Sequence, residues 1–291
     1  MLASCRLDGA LVCTPNHTHV AISKELLNGG VHVLCEKPIS VDIASGQELI
    51  DCAKASGRHL IGHHRRFNRY VVAAKNALPS LGKIVAVSGL WTIYKPPEYF
   101  NPPLEWHRLD SAGPILINLI HEADLLQYWF GPIVRVFAEK AASQRGFAAE
   151  EGAAMTLRFA TGIVGTFVLS DAVVSLHNFE SGTGENPTIP QEGRDSYRIF
   201  GSESRLSFPD MTMWTYEGKR SWTERLAFQA IDVPDMKIPF ELQIRHFVRV
   251  IKGEEAPCCS GRDGLRAVAV CEAVKRSILE GLPVDIPVDD R

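Results

Sequence analysis

Residues 31–38 read Val-His-Val-Leu-Cys-Glu-Lys-Pro, an apolar, β-branched run that ends in a charged pair and a proline. Such a run reads as a buried parallel strand that delivers Glu36 and Lys37 to its carboxyl end, where open α/β sheets place their ligands. The pattern around it alternates. Residues 9–13 form a short apolar strand, Thr14-Pro15-Asn16 a turn, and 17–28 carry helical spacing up to the stop at Gly29-Gly30. Ser40 to Ala55 reads as a second helix with Gly57 near its end, and His59-Leu60-Ile61-Gly62 as a third strand. Strand, helix, strand, helix, strand implies a parallel sheet. Yet no G-x-G-x-x-G stands before the first strand, where a dinucleotide-binding chain carries its phosphate loop. The glycine pair at Gly182-Thr183-Gly184 opens no helix and follows no strand, so it is no substitute.

Past residue 63 the texture changes. A helix is expected near 68–78, a strand at 83–94, a loop rich in proline and aromatics at 95–110, and an apolar helix over 114–130 that stops at Gly131-Pro132. Strand-like runs follow near 134–142, 153–159, 162–170, 196–201, 204–208 and 212–217, with a long polar loop at 175–195. Tight turns between them argue for an antiparallel sheet. Helices are expected at 238–252 and 263–281. The fold class is therefore α/β: a partial, N-terminally truncated Rossmann-type parallel sheet over 1–62, completed by the helix near 263–281, plus a C-terminal α+β domain over 63–291 with a large open antiparallel sheet.

Composition narrows the function. A net charge of −3 carries no footprint for nucleic acid. No apolar run reaches the roughly eighteen residues of a membrane span, and the first residues show no secretory h-region. Seven cysteines, an odd number without a C-x-x-C, fit a reducing, cytoplasmic compartment, with Cys13 and Cys35 read as core thiols. No histidine–carboxylate spacing suggests a metal site.

Four local patterns stand in order: Cys13-Thr14-Pro15-Asn16-His17-Thr18-His19, Glu36-Lys37-Pro38, Gly62-His63-His64-Arg65-Arg66-Phe67-Asn68, and Ile117-Asn118-Leu119-Ile120-His121-Glu122-Ala123-Asp124. Together they resemble the glucose–fructose oxidoreductase, inositol dehydrogenase and rhizopine-catabolism (Gfo/Idh/MocA) family over nearly the whole chain. The resemblance implies an NAD(P)-dependent oxidoreductase acting on a CH–OH group of a sugar, cyclitol or related polyhydroxylated small molecule. It implies NAD or NADP as cofactor, and a homodimer or homotetramer built on the open sheet. The family lysine maps onto Lys37 and the family histidine onto His121. The family aspartate four residues before that histidine falls on Ile117, leaving Asn118 as the nearest polar side chain.

The residue types suit that chemistry. Oxidising a secondary alcohol needs a hydride acceptor and a group that takes the hydroxyl proton. A free lysine titrates near 10.4, too high for a base at neutral pH, whereas imidazole near 6.5 is suited. His121 is thus expected to be base or relay, and Lys37 to hydrogen-bond and orient the reacting oxygen. Asn118, on the same helical face, is expected to hold His121 or a substrate hydroxyl. Thr14, Pro15, Asn16, His19, Glu36 and Lys37 are the expected cofactor contacts; for His17 and His19 a role at the helix start competes with any ligand role. His64, Arg65, Tyr94 and Trp106 are the expected substrate contacts, with Lys95 and His107 beside them. Arg66 reads as a domain-interface ion-pairing residue, an alternative that stands for Arg65 as well, and Asp124 as one that fixes helix packing.

The missing phosphate loop leaves consequences. Cofactor affinity is expected to suffer, and the strand at 9–13 becomes an edge with no charge to protect it. The residue that separates NAD from NADP is not in this sequence. Two alternatives stay open beside the dehydrogenase: a cofactor-free acid–base enzyme, such as a dehydratase, isomerase or decarboxylase that reuses Lys37 and His121, or a non-catalytic relative.

Overall fold

The structure, a computed structural model, describes residues 6–58 and 60–288; His59 of the expected third strand lies outside them. The first part alternates β1 (Gly9–Val12), α1 (His19–Asn28), β2 (His32–Cys35), α2 (Ile43–Ser56) and β3 (Leu60–Ile61). It continues with α3 (Arg69–Ala77), β4 (Ile84–Thr92) and α4 (Ile120–Phe130). Then come β5 (Ile133–Lys140), β6 (Gly152–Phe159), β7 (Val164–Ser170), α5 (Phe179–Thr183), β8 (Tyr197–Gly201), β9 (Ser204–Phe208), β10 (Thr212–Tyr216) and β11 (Leu226–Ala230). The chain closes with α6 (Pro239–Ile251), α7 (Gly261–Glu280) and β12 (Val284–Asp285).

Two compact units result, neither contiguous in sequence. The first takes residues 1–67, 120–128 and 237–272, and the second takes 68–119, 129–236 and 273–291. The sequence reading divides the chain once, at 62, because spacing along a chain does not report which distant segments pack together.

In the first unit β1, β2 and β3 form a parallel sheet in that order. β2 is central and its Val33, Leu34 and Cys35 are buried, as a strand covered on both faces requires. Leu34 packs with Phe247, Val250 and Ile251 of α6. The helix ends have local causes. Asp42 caps α2, accepting from the Ser45 amide at 2.8 Å and the Ser45 hydroxyl at 2.8 Å, which holds its carboxyl below the usual range. Gly57 closes the same helix at φ +63°, a conformation that costs glycine nothing. β1 is an edge strand, as its sequence implies, and Leu11 on it is half exposed. Cys13, expected in the core, is exposed because it lies one residue beyond β1; Cys35 is buried, which pushes its thiol up to about 12.

The second unit is built on a nine-stranded sheet in the order β11-β10-β9-β8-β4-β7-β6-β5-β12. Here the expectation of an all-antiparallel sheet needs correction: β4 and β7 run parallel over seven register pairs, Ala86↔Val164 to Thr92↔Ser170. β5, β6 and β7 are a local meander, and its last strand lies beside β4, a pairing between segments about eighty residues apart that no turn signal announces. Along β6 burial alternates, with Met155, Leu157 and Phe159 inward and Thr156 and Arg158 outward. Inward side chains meet an aromatic cluster in which Trp129 lies 5.6 Å from the Tyr197 ring and 5.1 Å from Phe208. The outer face leaves Val164, Val168 and Phe200 exposed.

The apolar helix expected over 114–130 is interrupted. Residues Ile115–Leu119 form a π-helical turn before α4 begins, a feature that often marks functional sites. Among the described residues no helix is long and apolar enough to cross a membrane. Gly152 shows how tightly the sheet is built. A Cβ there would fall on the Leu169 carbonyl oxygen and lie 3.0 Å from the Ser170 Cα. Gly152→Ala is therefore expected to lose about 1–3 kcal/mol, read as a lower urea midpoint at unchanged slope.

Candidate active site

Two loops meet at the carboxyl ends of β1 and β2. The first carries Thr14, Pro15 and Asn16; Thr18 pins it by donating to the Thr14 hydroxyl oxygen at 2.6 Å or the Pro15 carbonyl at 2.7 Å. The second carries Glu36, Lys37 and Pro38. Lys37 donates its amide to its neighbour's carboxylate, Glu36 Oε2, at 3.2 Å, and the Lys37–Pro38 peptide is cis. His19 joins the loops. Its Nδ1 lies 2.7 Å from the Pro38 carbonyl oxygen and its Nε2 2.7 Å from that of Thr14, with the ring almost wholly buried. The expectation that His19 contacts a cofactor is corrected accordingly: both nitrogens face backbone carbonyls, so its part is to fix the loops that do the presenting. Thr14 and Pro15 are exposed, and Asn16, Glu36 and Lys37 are half-buried.

An imidazole cluster lies in the same unit. His121 of α4 has its ring centroid 5.6 Å from that of His64 and 6.3 Å from that of His63, each edge-on. His64 stacks on Phe240 at 4.2 Å. His121 is 7% exposed, and its Nδ1 is buried without a hydrogen-bond partner among the described residues. Burial first, then the positive charges of Arg65 and Lys37 and the neighbouring His64 and His63, hold His121 well below the ordinary 6.5. It is therefore neutral at physiological pH, the form that can take a proton.

Two buried ion pairs hold the cluster. Arg65 Nη1 donates to Glu122 Oε1 at 2.7 Å, with both side chains almost fully buried. Arg66 donates through Nε and Nη2 to the two oxygens of Asp124 at 3.0 and 2.6 Å, and through Nη1 to the Cys258 carbonyl at 2.7 Å. Arg65 Nη1 is engaged by Glu122, one residue beyond His121, so the pair positions α4, and the Arg65 charge repels a proton from His121. Arg66 forms its ion pair with Asp124 inside the first unit, where the sequence reading expects one at a domain interface.

In the second unit Lys95 Nζ donates to Asn118 Oδ1 at 2.9 Å and lies 3.2 Å from Asp171 Oδ2. Arg145 pairs with Asp171 at 2.7 Å and with Glu151 at 3.8 Å. Burial lowers Lys95 from its usual range and Asp171 works against that shift. The π-helical turn and Lys95 together revise the reading of Asn118. Its i, i+3 placement relative to His121 assumes an α-helical period, and its carbonyl oxygen is held by Lys95, leaving its amide N–H groups as what it offers a ligand. Tyr94 and Trp106 are about half exposed, and Trp106 packs on His107 with ring centroids 3.8 Å apart. Asp171, Arg145 and Glu151 carried no sequence signal, since each acts through partners distant along the chain. His63 stood inside a quoted motif without a role. Among the described residues no group of three or more His, Cys, Asp or Glu is placed to hold a metal ion.

Loops at the carboxyl ends of parallel strands are where open α/β sheets bind dinucleotides. The family comparison agrees along both parts of the chain. Residues 1–64 match the oxidoreductase-family NAD-binding Rossmann fold, and 77–286 match the C-terminal alpha/beta domain of the same family. The chain belongs to the Gfo/Idh/MocA oxidoreductase family. It is 27% identical over 285 residues to myo-inositol 2-dehydrogenase of Thermotoga maritima, covering 94% of this chain and 78% of that one. It is 24% identical over 287 residues to 1,5-anhydro-D-fructose reductase of Ensifer adhaerens, covering 96% and 80%. The WlbA dehydrogenase of Bordetella pertussis, solved with NADH and UDP-GlcNAcA, shares the fold at a TM-score of 0.75 and 21% identity, over 99% of this chain and 82% of that one. This Gfo/Idh/MocA chain is an oxidoreductase, and Ile117, where the resemblance is expected to put the family aspartate, lies inside the π-helical turn.

Proposed function

We propose that this oxidoreductase oxidises a CH–OH group of a sugar, cyclitol or related polyhydroxylated small molecule, or reduces the matching carbonyl, with NAD or NADP. The observation that carries the reading is His121: a buried imidazole, kept neutral, within electrostatic reach of Lys37. Thr14, Pro15, Asn16, Glu36 and Lys37, on loops at the carboxyl ends of parallel strands, suit the nicotinamide half of a dinucleotide. Bound there, the cofactor supplies hydride exchange at the reacting carbon.

The chain's own residues do the rest. Lys37 donates a hydrogen bond to the reacting oxygen and steadies negative charge on it as the proton leaves. His121 takes that proton. His19 holds the two loops in register, and the Arg65–Glu122 pair keeps α4 in place beneath the base. Relatives named for myo-inositol and 1,5-anhydro-D-fructose support a polyhydroxylated substrate.

The test is formation of reduced nicotinamide by the purified chain with NAD or NADP over a polyol panel including myo-inositol, beside calorimetric dinucleotide binding. Lys37→Ala is expected to cut kcat about 10²-fold or more. The sign of its pH effect also follows. Lys37 is one of the charges that depress His121, so its removal moves the acid limb of the rate profile to higher pH. Polyol dehydration or isomerisation without dinucleotide would overturn the reading in favour of a cofactor-free enzyme.

A further inference from the structure

His63 combines an uncommon backbone conformation with burial. It is buried, 3% exposed, and its backbone sits at φ +49°, a region that side chains bearing a Cβ rarely occupy. Both of its ring nitrogens are buried without a hydrogen-bond partner among the described residues, and so is Nδ1 of His121 beside it. Other buried histidines contrast with these two. His19 has both nitrogens within 2.7 Å of carbonyl oxygens, His246 lies 2.5 Å from Glu255 and accepts from the Cys258 amide at 3.0 Å, and His107 Nδ1 lies 3.1 Å from the Tyr99 carbonyl. Strain and unmet hydrogen bonding that coincide at one residue, next to the catalytic histidine, mark a place organised for something other than stability.

Geometry indicates what that is. The His63 and His121 rings stand edge-on, 6.3 Å between centroids, a spacing that suits one bridging water better than a direct bond. On its other side His63 Nδ1 lies 3.9 Å from Asp124 Oδ2. Resting on the function proposed above, we propose that His63 is a second imidazole of the reaction. It receives, through one bridging water, the proton that His121 takes from the substrate hydroxyl. The step moves a proton only: one N–H bond breaks on His121, one forms on His63, and no electrons change hands. The imidazolium so formed faces the Asp124 carboxylate, which favours it, while Arg66, His64 and Lys37 oppose it. Burial keeps His63 below its ordinary value at rest, so it stands empty of the proton it is to receive. Reduction runs the same transfer backwards.

His63→Asn and His63→Gly test this, because both residues tolerate φ near +50° and neither carries a proton. Three readouts apply to the whole chain: melting temperature, the titration of the His121 ring followed by nitrogen-15 NMR, and kcat over pH on whichever polyol the wild type oxidises. Both variants are expected to melt no lower than the wild type. His121 is expected to titrate higher in them, since His63 is one of the groups that depress it. The kcat is expected to fall about tenfold or more at unchanged dinucleotide affinity. An unmoved His121 titration overturns the proposal, as does a kcat within twofold of wild type. So does a drop in melting temperature with full activity, which would make His63 a packing residue. If the wild type oxidises no polyol, the functional reading fails on its own, and the NMR arm still reports whether the two imidazoles are coupled.

Discussion

His121→Asn is expected to abolish turnover, with kcat falling about 10³-fold or more while dinucleotide affinity, measured by calorimetry, stays near wild type. Asparagine keeps the polar bulk of the position but takes no proton. A loss this large follows from the proposed roles, since His121 is the imidazole that takes the substrate proton and His63 receives a proton only through it. The pH profile carries a second signature. His121 is depressed well below 6.5 by burial and by Arg65, Lys37, His64 and His63, so the wild type is expected to hold its rate below the pH at which a free imidazole protonates. Stability follows the same linkage. A group whose folded value is lowered contributes fully above its unfolded value near 6.5, and that contribution is lost as pH falls through the folded value. The melting temperature of the wild type should therefore decline on acidification below about 6.5, and part of that decline should vanish in His121→Asn. Near wild-type turnover in this variant would remove His121 from the chemistry.

Arg66→Ala is expected to lose about 3–5 kcal/mol of stability. The guanidinium is almost fully buried, makes two bonds to Asp124 and one to the Cys258 carbonyl, lies 3.6 Å from Asp263, and sits 4.8 Å over the Tyr128 ring. Truncation leaves the Asp124 carboxylate, 1% exposed, without its cation. A typical domain has about 5–15 kcal/mol in total, so this one change is expected to remove a large share of the protein's stability. Arg66→Lys is not expected to rescue it, because an ammonium cannot make the paired, planar contact. Arg66→Met combined with Asp124→Leu should recover much of the loss, since it removes the unpaired charge together with the pair. Urea denaturation of the four proteins measures this directly. Equal midpoints for wild type and Arg66→Ala would mean that water already shields Asp124.

The parts that were legible in the sequence were local. β1, α1, β2, α2 and β3 were readable because apolar period and glycine stops sit within a few residues of what they specify. Glu36, Lys37 and His121 were readable because a strand end and an apolar helix each announce themselves. Three elements were not. β12 has two residues and exists only because Val284 and Asp285 pair with Val136 and Arg135. α5 is a single short turn within a polar loop, capped by Asn178, and has no period to detect. β11 carries mostly exposed side chains, so no buried face marks it.

By itself, then, the sequence determined the βαβ alternation and the family, and through that resemblance it pointed to Lys37 and His121, the two side chains on which the proposed chemistry turns. The alternation depends on residue type and near-neighbour spacing. The tertiary structure decided the parallel pairing of β4 with β7 and the π-helical turn that carries Asn118 toward Lys95. It also committed Arg65 to Glu122, gave His19 its place between two carbonyls, and left His63 strained beside His121. Each of those outcomes depends on which groups burial brings together and which partners remain for their donors and charges, and sequence spacing does not contain that information.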